Sequence, residues 1–233
     1  MLKVRTAPSI GELERTFEEA WGLETYNSEK DKDEETVFVG CYGLPDFYAL
    51  WRHRGKKYLW WAGSDIYHLM NGYWLDTEGM IRIVAKPLAK WINKNCENWV
   101  EDEAEEKALK KIGIESKVCP SFLGKIEDYN IEYQWWAKPH VYVSCSGNNH
   151  QMYGFDIIEK IAPHLPKITF HLYGSTTWKS KHKNVVCHGR VPKEQMNGEI
   201  KKMQCGLRLN KFDGLSEITA KSILWGQYPI TWI

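Results

Sequence analysis

The sequence has no long apolar run and no excess of charge of either sign. None of its apolar stretches approaches the roughly 18 residues that a membrane-spanning helix requires. Its 31 Lys and Arg residues nearly balance 30 Asp and Glu, which leaves a formal net charge of +1. This balance gives no electrostatic reason to expect an anionic membrane or nucleic acid as a general partner. The first residues also lack the apolar core and cleavage site of a signal peptide, so we expect a cytoplasmic protein.

The sequence also lacks the common motifs for metals, disulfides and cofactors. Its six cysteines are scattered without a Cys-x-x-Cys pair, and its histidines have no metal-ligand spacing. Neither a Gly-x-Gly-x-x-Gly fingerprint nor a P-loop is present. No pair of carboxylates resembles that of a glycoside hydrolase. We therefore expect no metal site and no bound cofactor, and we interpret the cysteines as small apolar core residues in a reducing compartment.

Tryptophan is frequent, with 12 residues, and two pairs are adjacent in the chain: Trp60 with Trp61 and Trp135 with Trp136. If these pairs lie on strands, the two rings of each pair point to opposite faces of the sheet. We therefore expect one ring of each pair to be buried and the other to lie near a cleft. There it could stack on a sugar ring or a base, and packing in the core is the alternative.

From residue 36 onwards, short apolar runs alternate with glycine-containing turns and amphipathic helices. The predicted strands are 36–39, 57–61, 98–100, 117–119, 140–144, 168–172, 185–187, 206–209 and 228–231. The predicted helices are 9–21, 45–53, 77–95, 101–112, 153–162, 193–202 and 215–225. This alternation predicts an α/β protein with parallel sheets and right-handed crossovers. Residues 124–139 have no clear period, so we place a domain connection there and expect domains at 1–135 and 136–233.

Ligands of such sheets bind at the carboxyl ends of the strands, where the N-termini of the helices converge. This rule singles out turns that all contain glycine: 40–43, 62–65, 145–150, 173–175, 188–191 and 210–216. The alternative is that glycine only permits a tight turn at these places.

The C-terminal half carries a family resemblance. Its quoted segments are Gly189-Arg190-Val191, Arg208, Asp213-Gly214-Leu215-Ser216 and Gly226-Gln227-Tyr228-Pro229-Ile230, preceded by Tyr153-Gly154-Phe155-Asp156 and Tyr173-Gly174. Together they resemble the donor half of group 1 glycosyltransferases with the GT-B fold. The similarity extends over most of residues 36–233. It implies two Rossmann-like parallel-sheet domains of GT-B type, compact and shortened at the C-terminus, with an acceptor-side domain at 1–135 and a donor-binding domain at 136–233.

The resemblance also implies a site for a nucleotide-sugar donor such as a UDP-sugar. The implied donor-binding residues are Gly43, Gly147, Asn148, Gly174, Gly189, Arg190, Val191, Asp213, Gly214, Leu215 and Ser216. The amides of residues 214–216 open a helix, where the positive end of the helix dipole can hold a diphosphate. Gly43, at the start of a helix in the first domain, could reach the same phosphates.

The candidate catalytic residues are Asp65, Arg208 and Glu217. Arg208 ends a strand and could offset the charge of a departing nucleoside diphosphate, or it is a solvent-covered strand residue. Asp65 could position or deprotonate an acceptor hydroxyl, or cap the next helix. Glu217 lies one turn before the place where the family has a helix acid.

Three departures from the family pattern involve four positions. Asn148 and Tyr153 stand where the family has an Arg and a Lys that grip phosphates. Lys221 stands near the place of the helix acid, and Ile233 follows directly after a strand. The departures keep a second hypothesis open beside the first.

The first hypothesis is a hexosyltransferase-like glycosyltransferase that uses a nucleoside diphosphate-sugar. For it the resemblance implies retention at the anomeric carbon, and neutralisation by amides and Arg208 makes a metal unnecessary. The second is a non-catalytic or degenerate sugar-nucleotide-binding subunit. A viral-type transferase that glycosylates modified DNA bases is the third, with nucleic acid only as acceptor, and the near-neutral charge speaks against it.

Overall fold

The structure, a computed structural model, describes residues 2–71, 81–120, 126–129, 133, 135, 137–210 and 216–231. The described residues up to 120 form one compact unit, and those from 126 onwards belong to a second. The domain boundary predicted between residues 135 and 136 falls in a stretch of which few residues are described, and it stays a prediction. The part of the predicted helix 77–95 before residue 81 also lies outside the described residues.

The first unit is a parallel sheet with helices on both faces. Its strands are β1 (Lys3–Thr6), β2 (Glu24–Thr25), β3 (Thr36–Val39), β4 (Lys57–Trp60), β5 (Glu97–Val100) and β6 (Lys117–Val118), in the order β2-β1-β3-β4-β5-β6. Its helices are α1 (Glu14–Trp21), α2 (Leu44–Arg52), α3 (Ser64–Asn71), α4 (Ile81–Asn95) and α5 (Glu103–Lys111). A short 3-10 helix, Pro8–Leu13, precedes α1. All described strand pairings are parallel, as the sequence predicts.

Both faces of the first sheet are covered, and this corrects one expectation. Trp60 and Trp61 point to opposite faces, as the strand alternation requires, but both are buried, with 7% and 0% of their surface exposed. Trp60 packs with α1, whereas Trp61 packs in the core under the other helices. The expectation that one of these rings lies near a cleft is therefore wrong. Trp135 is exposed, and Trp136 lies outside the described residues.

The second unit is a five-stranded parallel sheet. Its elements are β7 (His140–Ser144), α6 (Phe155–Ile161), β8 (Thr169–Tyr173), β9 (Val185–Gly189), α7 (Lys193–Ile200), β10 (Cys205–Arg208), α8 (Glu217–Leu224) and β11 (Tyr228–Thr231), with 3-10 turns at Ile126–Asp128 and Ala162–His164. The strand order is β11-β10-β7-β8-β9, and all described pairings are parallel. The chain thus builds outwards from β7 in one direction and then from β10 in the other. Such a reversal opens a crevice at the carboxyl ends of the two central strands.

Alternating side chains fill the two faces of this second sheet. Val141, Val143 and Leu172 pack with Phe155 of α6 on one face. Tyr142 and Tyr173 face the side that carries α7 and α8, with Ile200, Ile218 and Trp225. Burying a large apolar side chain contributes about 1.5–3 kcal/mol, so both faces stabilise the sheet that carries the carboxyl-end turns.

Candidate functional site

The carboxyl edge of the second sheet gathers the turns that the sequence singles out. Because β7, β8, β9 and β10 are parallel neighbours, the turns after Ser144, Tyr173, Gly189 and Arg208 all leave at one edge. The reversal of strand order lies between β7 and β10, which places the 145–150 turn and residues 209–210 on either side of it.

Gly174 joins three of these turns. Its backbone has a positive φ of 91°, and a Cβ atom at this position would lie 2.0 Å from the carbonyl oxygen of Cys145. The amide of Gly174 donates to the carbonyl oxygen of Gly189 at 2.7 Å, and the amide of Cys145 donates to that of Tyr173 at 3.0 Å. The glycine is therefore required by close backbone approach, and not by the turn alone.

The other predicted residues of these turns differ in exposure. Gly147 and Gly189 also have positive φ values, 61° and 73°. Gly147, Asn148 and Arg190 are exposed, so a ligand can reach them. Val191 is half-buried and packs against the core that contains Tyr142 and Tyr173. Their assignment to a donor stays a prediction.

Arg208 lies at the reversal point and is held there. Its guanidinium lies 4.8 Å from the centre of the Tyr153 ring, in a cation–π arrangement. With the buried amide of Asn210 turned so that its oxygen faces the guanidinium, Arg208 Nη2 donates to it at 3.3 Å. The same orientation lets the amide nitrogen of Asn210 donate to the carbonyl oxygen of Met152, also at 3.3 Å. A cation is thus fixed above Tyr153, the uncharged residue where the family has a phosphate-gripping side chain.

A polar cluster that sequence reasoning missed lies beside it. Ser175 Oγ accepts from the amides of Thr177 and Trp178 at 3.2 and 2.9 Å, so its proton points to His150 Nε2 at 2.6 Å. Thr177 Oγ1 donates to Asn148 Oδ1 at 3.2 Å. The cluster ties the turn after β7 to the turn after β8. The signals for it were a histidine at the end of the 145–150 turn and a serine after Gly174, which only the sheet order brings together.

The start of α8 carries the next predicted residues. Asp213, Gly214 and Leu215 lie outside the described residues. Ser216 is the N-cap of α8, and its hydroxyl oxygen accepts from the Thr219 amide at 3.3 Å. This satisfies one of the amides that the first turn of a helix leaves open.

Glu217 is engaged with two lysines. Its Oε1 lies 3.2 Å from Lys193 Nζ and 3.0 Å from Lys221 Nζ. Lys221 is buried and also donates to Asn197 Oδ1 at 3.0 Å. Burial alone would raise the pKa of Glu217, but the two ammonium groups outweigh it and hold this pKa below its usual value. Glu217 therefore balances the buried Lys221, which lies near the place where the resemblance leads us to expect a helix acid, and a catalytic role for Glu217 stays a prediction.

In the first unit, Gly43 and Asp65 lie in the turns after β3 and β4. The carbonyl oxygen of Gly43 accepts from the amides of Asp46 and Phe47, both at 3.1 Å, at the start of α2. Asp65 is fully buried. Its two carboxylate oxygens accept from the amides of Cys41, Ala62 and Ile66 at 2.8, 3.0 and 2.9 Å. This is the capping alternative, so the assignment of Asp65 as an acceptor base gains no support and stays an untested prediction.

Glu105, in α5, is a second buried carboxyl group of the first unit. Its burial leads us to expect that the stability of the protein depends on pH. One oxygen accepts from the Glu101 amide at 2.8 Å, and the other has no hydrogen-bond partner. Burial raises the pKa of Glu105 to about 8. In the unfolded chain this group ionises near its ordinary value of 4.5, so between these two values folding must keep a proton that the unfolded chain releases. Stability is therefore lost as the pH rises through this window, by up to about 1.4 kcal/mol per pH unit.

The Glu105→Gln variant checks this expectation, because glutamine keeps the acceptor and cannot ionise. Urea unfolding at pH 5, 6.5 and 8 should show the variant gaining on the unsubstituted protein as the pH rises. Glu103→Gln, at an exposed position of the same helix, serves as control and should leave the pH dependence unchanged. Parallel pH profiles for the unsubstituted protein and Glu105→Gln would refute the expectation.

Within the ranges given above, no group of three or more His, Cys, Asp or Glu side chains is placed to hold a metal ion. None of the helices in those ranges is long and apolar enough to cross a membrane.

Comparison with known proteins identifies the fold. No protein-family model matches the sequence, and a search among curated proteins finds no match. Among solved structures, TarM from S. aureus in complex with UDP has a TM-score of 0.60 and 14% identity; the match covers 86% of this chain and 42% of TarM. HepE from Anabaena in complex with UDP-glucose has a TM-score of 0.56 and 10% identity, covering 99% of this chain and 79% of HepE.

Sucrose-phosphate synthase from Thermosynechococcus elongatus gives a TM-score of 0.60 at 10% identity, over 96% of this chain and 59% of that enzyme. At such identities the comparison establishes the fold alone. The predicted GT-B architecture of two parallel-sheet α/β domains is confirmed, and the chain spans less than half the length of TarM.

Proposed function

We propose that this chain is a glycosyltransferase that binds a nucleoside diphosphate-sugar at the carboxyl edge of its second sheet. The observation that carries the proposal is Arg208, fixed over Tyr153 at the reversal of strand order. A departing nucleoside diphosphate develops negative charge, and a pre-oriented guanidinium stabilises it without reorganisation. TarM and HepE, which share the fold, were solved with UDP and UDP-glucose, and this supports a UDP-sugar as the donor.

The electrostatics of the turns support a mechanism that uses no metal. Arg208 and the exposed Arg190 supply positive charge, and the amide-rich turns at Gly147 and Gly189 supply hydrogen-bond donors. Ser216 opens α8, whose N-terminus adds the positive end of a helix dipole. The resemblance to group 1 enzymes favours retention at the anomeric carbon.

A test of the proposal measures UDP binding and donor hydrolysis for the protein and its Arg208→Ala variant. A charge-assisted hydrogen bond contributes about 1.5–3 kcal/mol, so the variant should lose roughly 10–150-fold in UDP affinity. The Arg208→Lys variant should recover only part, because lysine keeps the charge but loses the planar fork.

The matched control for this test is Arg52→Ala in the first unit. Arg52 also lies over a tyrosine ring, with its guanidinium 5.6 Å from the centre of Tyr48. Calorimetry should show unchanged UDP affinity for this control. UDP binding that is equally tight in the Arg208→Ala variant would remove the assigned site, and no UDP binding by the unsubstituted protein would remove the function.

A second candidate is a sugar-nucleotide-binding subunit without catalysis. It is favoured by Lys221, which pairs with Glu217 and lies near the place where the resemblance implies a helix acid. The two candidates differ in turnover: this one predicts UDP binding with no donor hydrolysis and no transfer to any of a panel of sugar acceptors. Release of UDP from a UDP-sugar above the uncatalysed rate would exclude it.

A further inference from the structure

Three histidines form a hydrogen-bonded chain across the second sheet, and a glutamate lies beside its last ring. We call these four residues the histidine chain: His140, His171, His188 and Glu199. His140 Nδ1 lies 2.8 Å from His171 Nε2, and His171 Nδ1 lies 2.8 Å from His188 Nε2. His188 Nδ1 lies 3.5 Å from Glu199 Oε2. The chain runs from the first residue of β7, through the middle of β8, to the carboxyl end of β9 and then to α7.

The protons of the histidine chain can be placed, because Glu199 only accepts. Its carboxylate receives the Tyr173 hydroxyl at 2.6 Å and Gln195 Nε2 at 3.0 Å. These hydrogen bonds, first that of Tyr173, hold the pKa of Glu199 below its usual value. The negative charge of Glu199, 3.5 Å from His188 Nδ1, favours the proton of His188 on Nδ1, which leaves His188 Nε2 to accept from His171 Nδ1. By the same step, His171 Nε2 accepts from His140 Nδ1.

The rings of His171 and His188 must be neutral to accept these protons, and burial favours their neutral forms. Burial, followed by the neighbouring His188 and His140, lowers the pKa of His171 to about 4. Burial also lowers the pKa of His188. At neutral pH each histidine of the chain therefore donates from Nδ1 towards the next residue, in the order His140, His171, His188 and Glu199.

The end of the histidine chain lies beside the 189–191 turn. The ring of His188 stacks on that of Tyr173, with centres 4.2 Å apart and planes at 11°. His188 directly precedes Gly189, whose carbonyl oxygen accepts from the Gly174 amide. The ring of His188 is thus held by stacking on Tyr173 and by the contacts of its two nitrogens with His171 and Glu199. Because the ring is fixed, the backbone of the residues that follow it is restrained as well.

We propose that His171, His188 and Glu199 are positioning residues for the turn Gly189-Arg190-Val191, holding it in the conformation that meets a nucleotide. The proposal rests on the proposed function, in which this turn contacts the donor. These residues contact no donor themselves; they act through the turn. The consequence is that a residue in the middle of β8 controls nucleotide affinity at the edge of the sheet.

The protons can be observed directly in ¹⁵N-labelled protein by NMR of the imidazole rings at pH 7.5, without any nucleotide. His140, His171 and His188 are expected to carry the proton on Nδ1. The Glu199→Leu variant removes both the charge and the acceptor that set the direction, so the proton of His171 should no longer be confined to Nδ1. A proton on Nε2 of His171 or His188 in the unsubstituted protein would overturn the proposal whether or not the protein binds UDP.

The positioning effect is measured on His171→Leu, which fills the volume but breaks the histidine chain, and on His171→Gln, which keeps one donor and one acceptor. UDP affinity should fall about tenfold in His171→Leu, within the usual range of coupling between sites, and return within about twofold in His171→Gln. Amide hydrogen exchange of residues 189–191 should accelerate in the leucine variant and recover in the glutamine variant. Unchanged exchange in His171→Leu would overturn the proposal even if UDP did not bind, which separates its failure from that of the proposed function.

Discussion

The Gly174→Ala variant is expected to lose the native packing of the second unit, with a loss of about 4 kcal/mol or more in the free energy of unfolding. A methyl group at this position would lie 2.0 Å from the carbonyl oxygen of Cys145, a backbone atom that cannot rotate away. The positive φ of 91° adds strain for any residue with a Cβ. Relieving the overlap would separate the turns after β7 and β8 and break the hydrogen bond from Gly174 to Gly189.

The matched control for this variant is Gly147→Ala. Gly147 has a positive φ of 61°, but nothing lies within 4 Å of the Cβ that alanine would add. It isolates the cost of the backbone conformation, about 1–2 kcal/mol. Urea unfolding and UDP binding of the two variants separate crowding from strain. Equal losses for the two variants would contradict the reading that close approach to Cys145 explains the glycine.

The Lys221→Met variant is expected to destabilise the second unit by about 1–3 kcal/mol. The variant loses the hydrogen bonds of a buried ammonium, whereas the Glu217 side chain that it leaves behind is 41% exposed and partly solvated. The Lys221 side chain is 2% exposed, and its ammonium holds Glu217 and Asn197, which joins α8 to α7. Methionine matches the length of lysine but satisfies neither partner. Glu217 would keep only Lys193, whose side chain is 44% exposed.

Two further variants test whether the loss of stability comes from the contacts of Lys221. Lys193→Met removes the exposed partner of the same carboxylate and should cost less than about 1 kcal/mol. Combining Lys221→Met with Glu217→Gln should cost less than Lys221→Met alone, since the partly buried carboxylate that has lost one of its two ammonium partners is then removed as well. Thermal unfolding followed by circular dichroism gives the losses of these three variants relative to the unsubstituted protein. A loss in Lys221→Met below that in Lys193→Met would show that the contacts of Lys221 do not stabilise the fold.

The second sheet was more predictable than the first, for a physical reason. His140–Ser144 and Tyr228–Thr231 are apolar-rich runs between turn residues, and both were predicted with the bounds that the structure has. In contrast, β1 is absent from the predicted strands. It alternates charged and apolar residues, and its charged residues pair with side chains that lie far away in the sequence. Lys3 pairs with Glu24 at 2.6 Å and Arg5 with Asp46 at 3.0 Å. Helix α3 was missed because its first residues were interpreted as a turn.

The sequence predicts which turns form the candidate site, but it does not predict the side-chain contacts between them. The strand-end rule and the resemblance named Gly174, Gly189 and Arg208, all of which lie at the carboxyl edge of the second sheet. The contacts of His150 with Ser175, and those of the histidine chain, join residues on different strands. Sequence spacing carries no signal for such contacts, because the order β10-β7-β8-β9 that creates them is a property of the assembled sheet.

The arrangement of Arg208 above Tyr153 has a consequence for how protein families diverge. A positive charge at the helix start after β7 and one that reaches the same place from the end of the neighbouring strand, as Arg208 does over the Tyr153 ring, would act on a ligand in the same way. Exchanging one arrangement for the other would preserve the electrostatic potential of the crevice, although the sequence motif at the helix start would be lost. Two proteins related in this way would resemble each other more in the electrostatic potential of the crevice than in sequence. Grouping distant relatives by this potential would therefore bring together chains that sequence alignment separates.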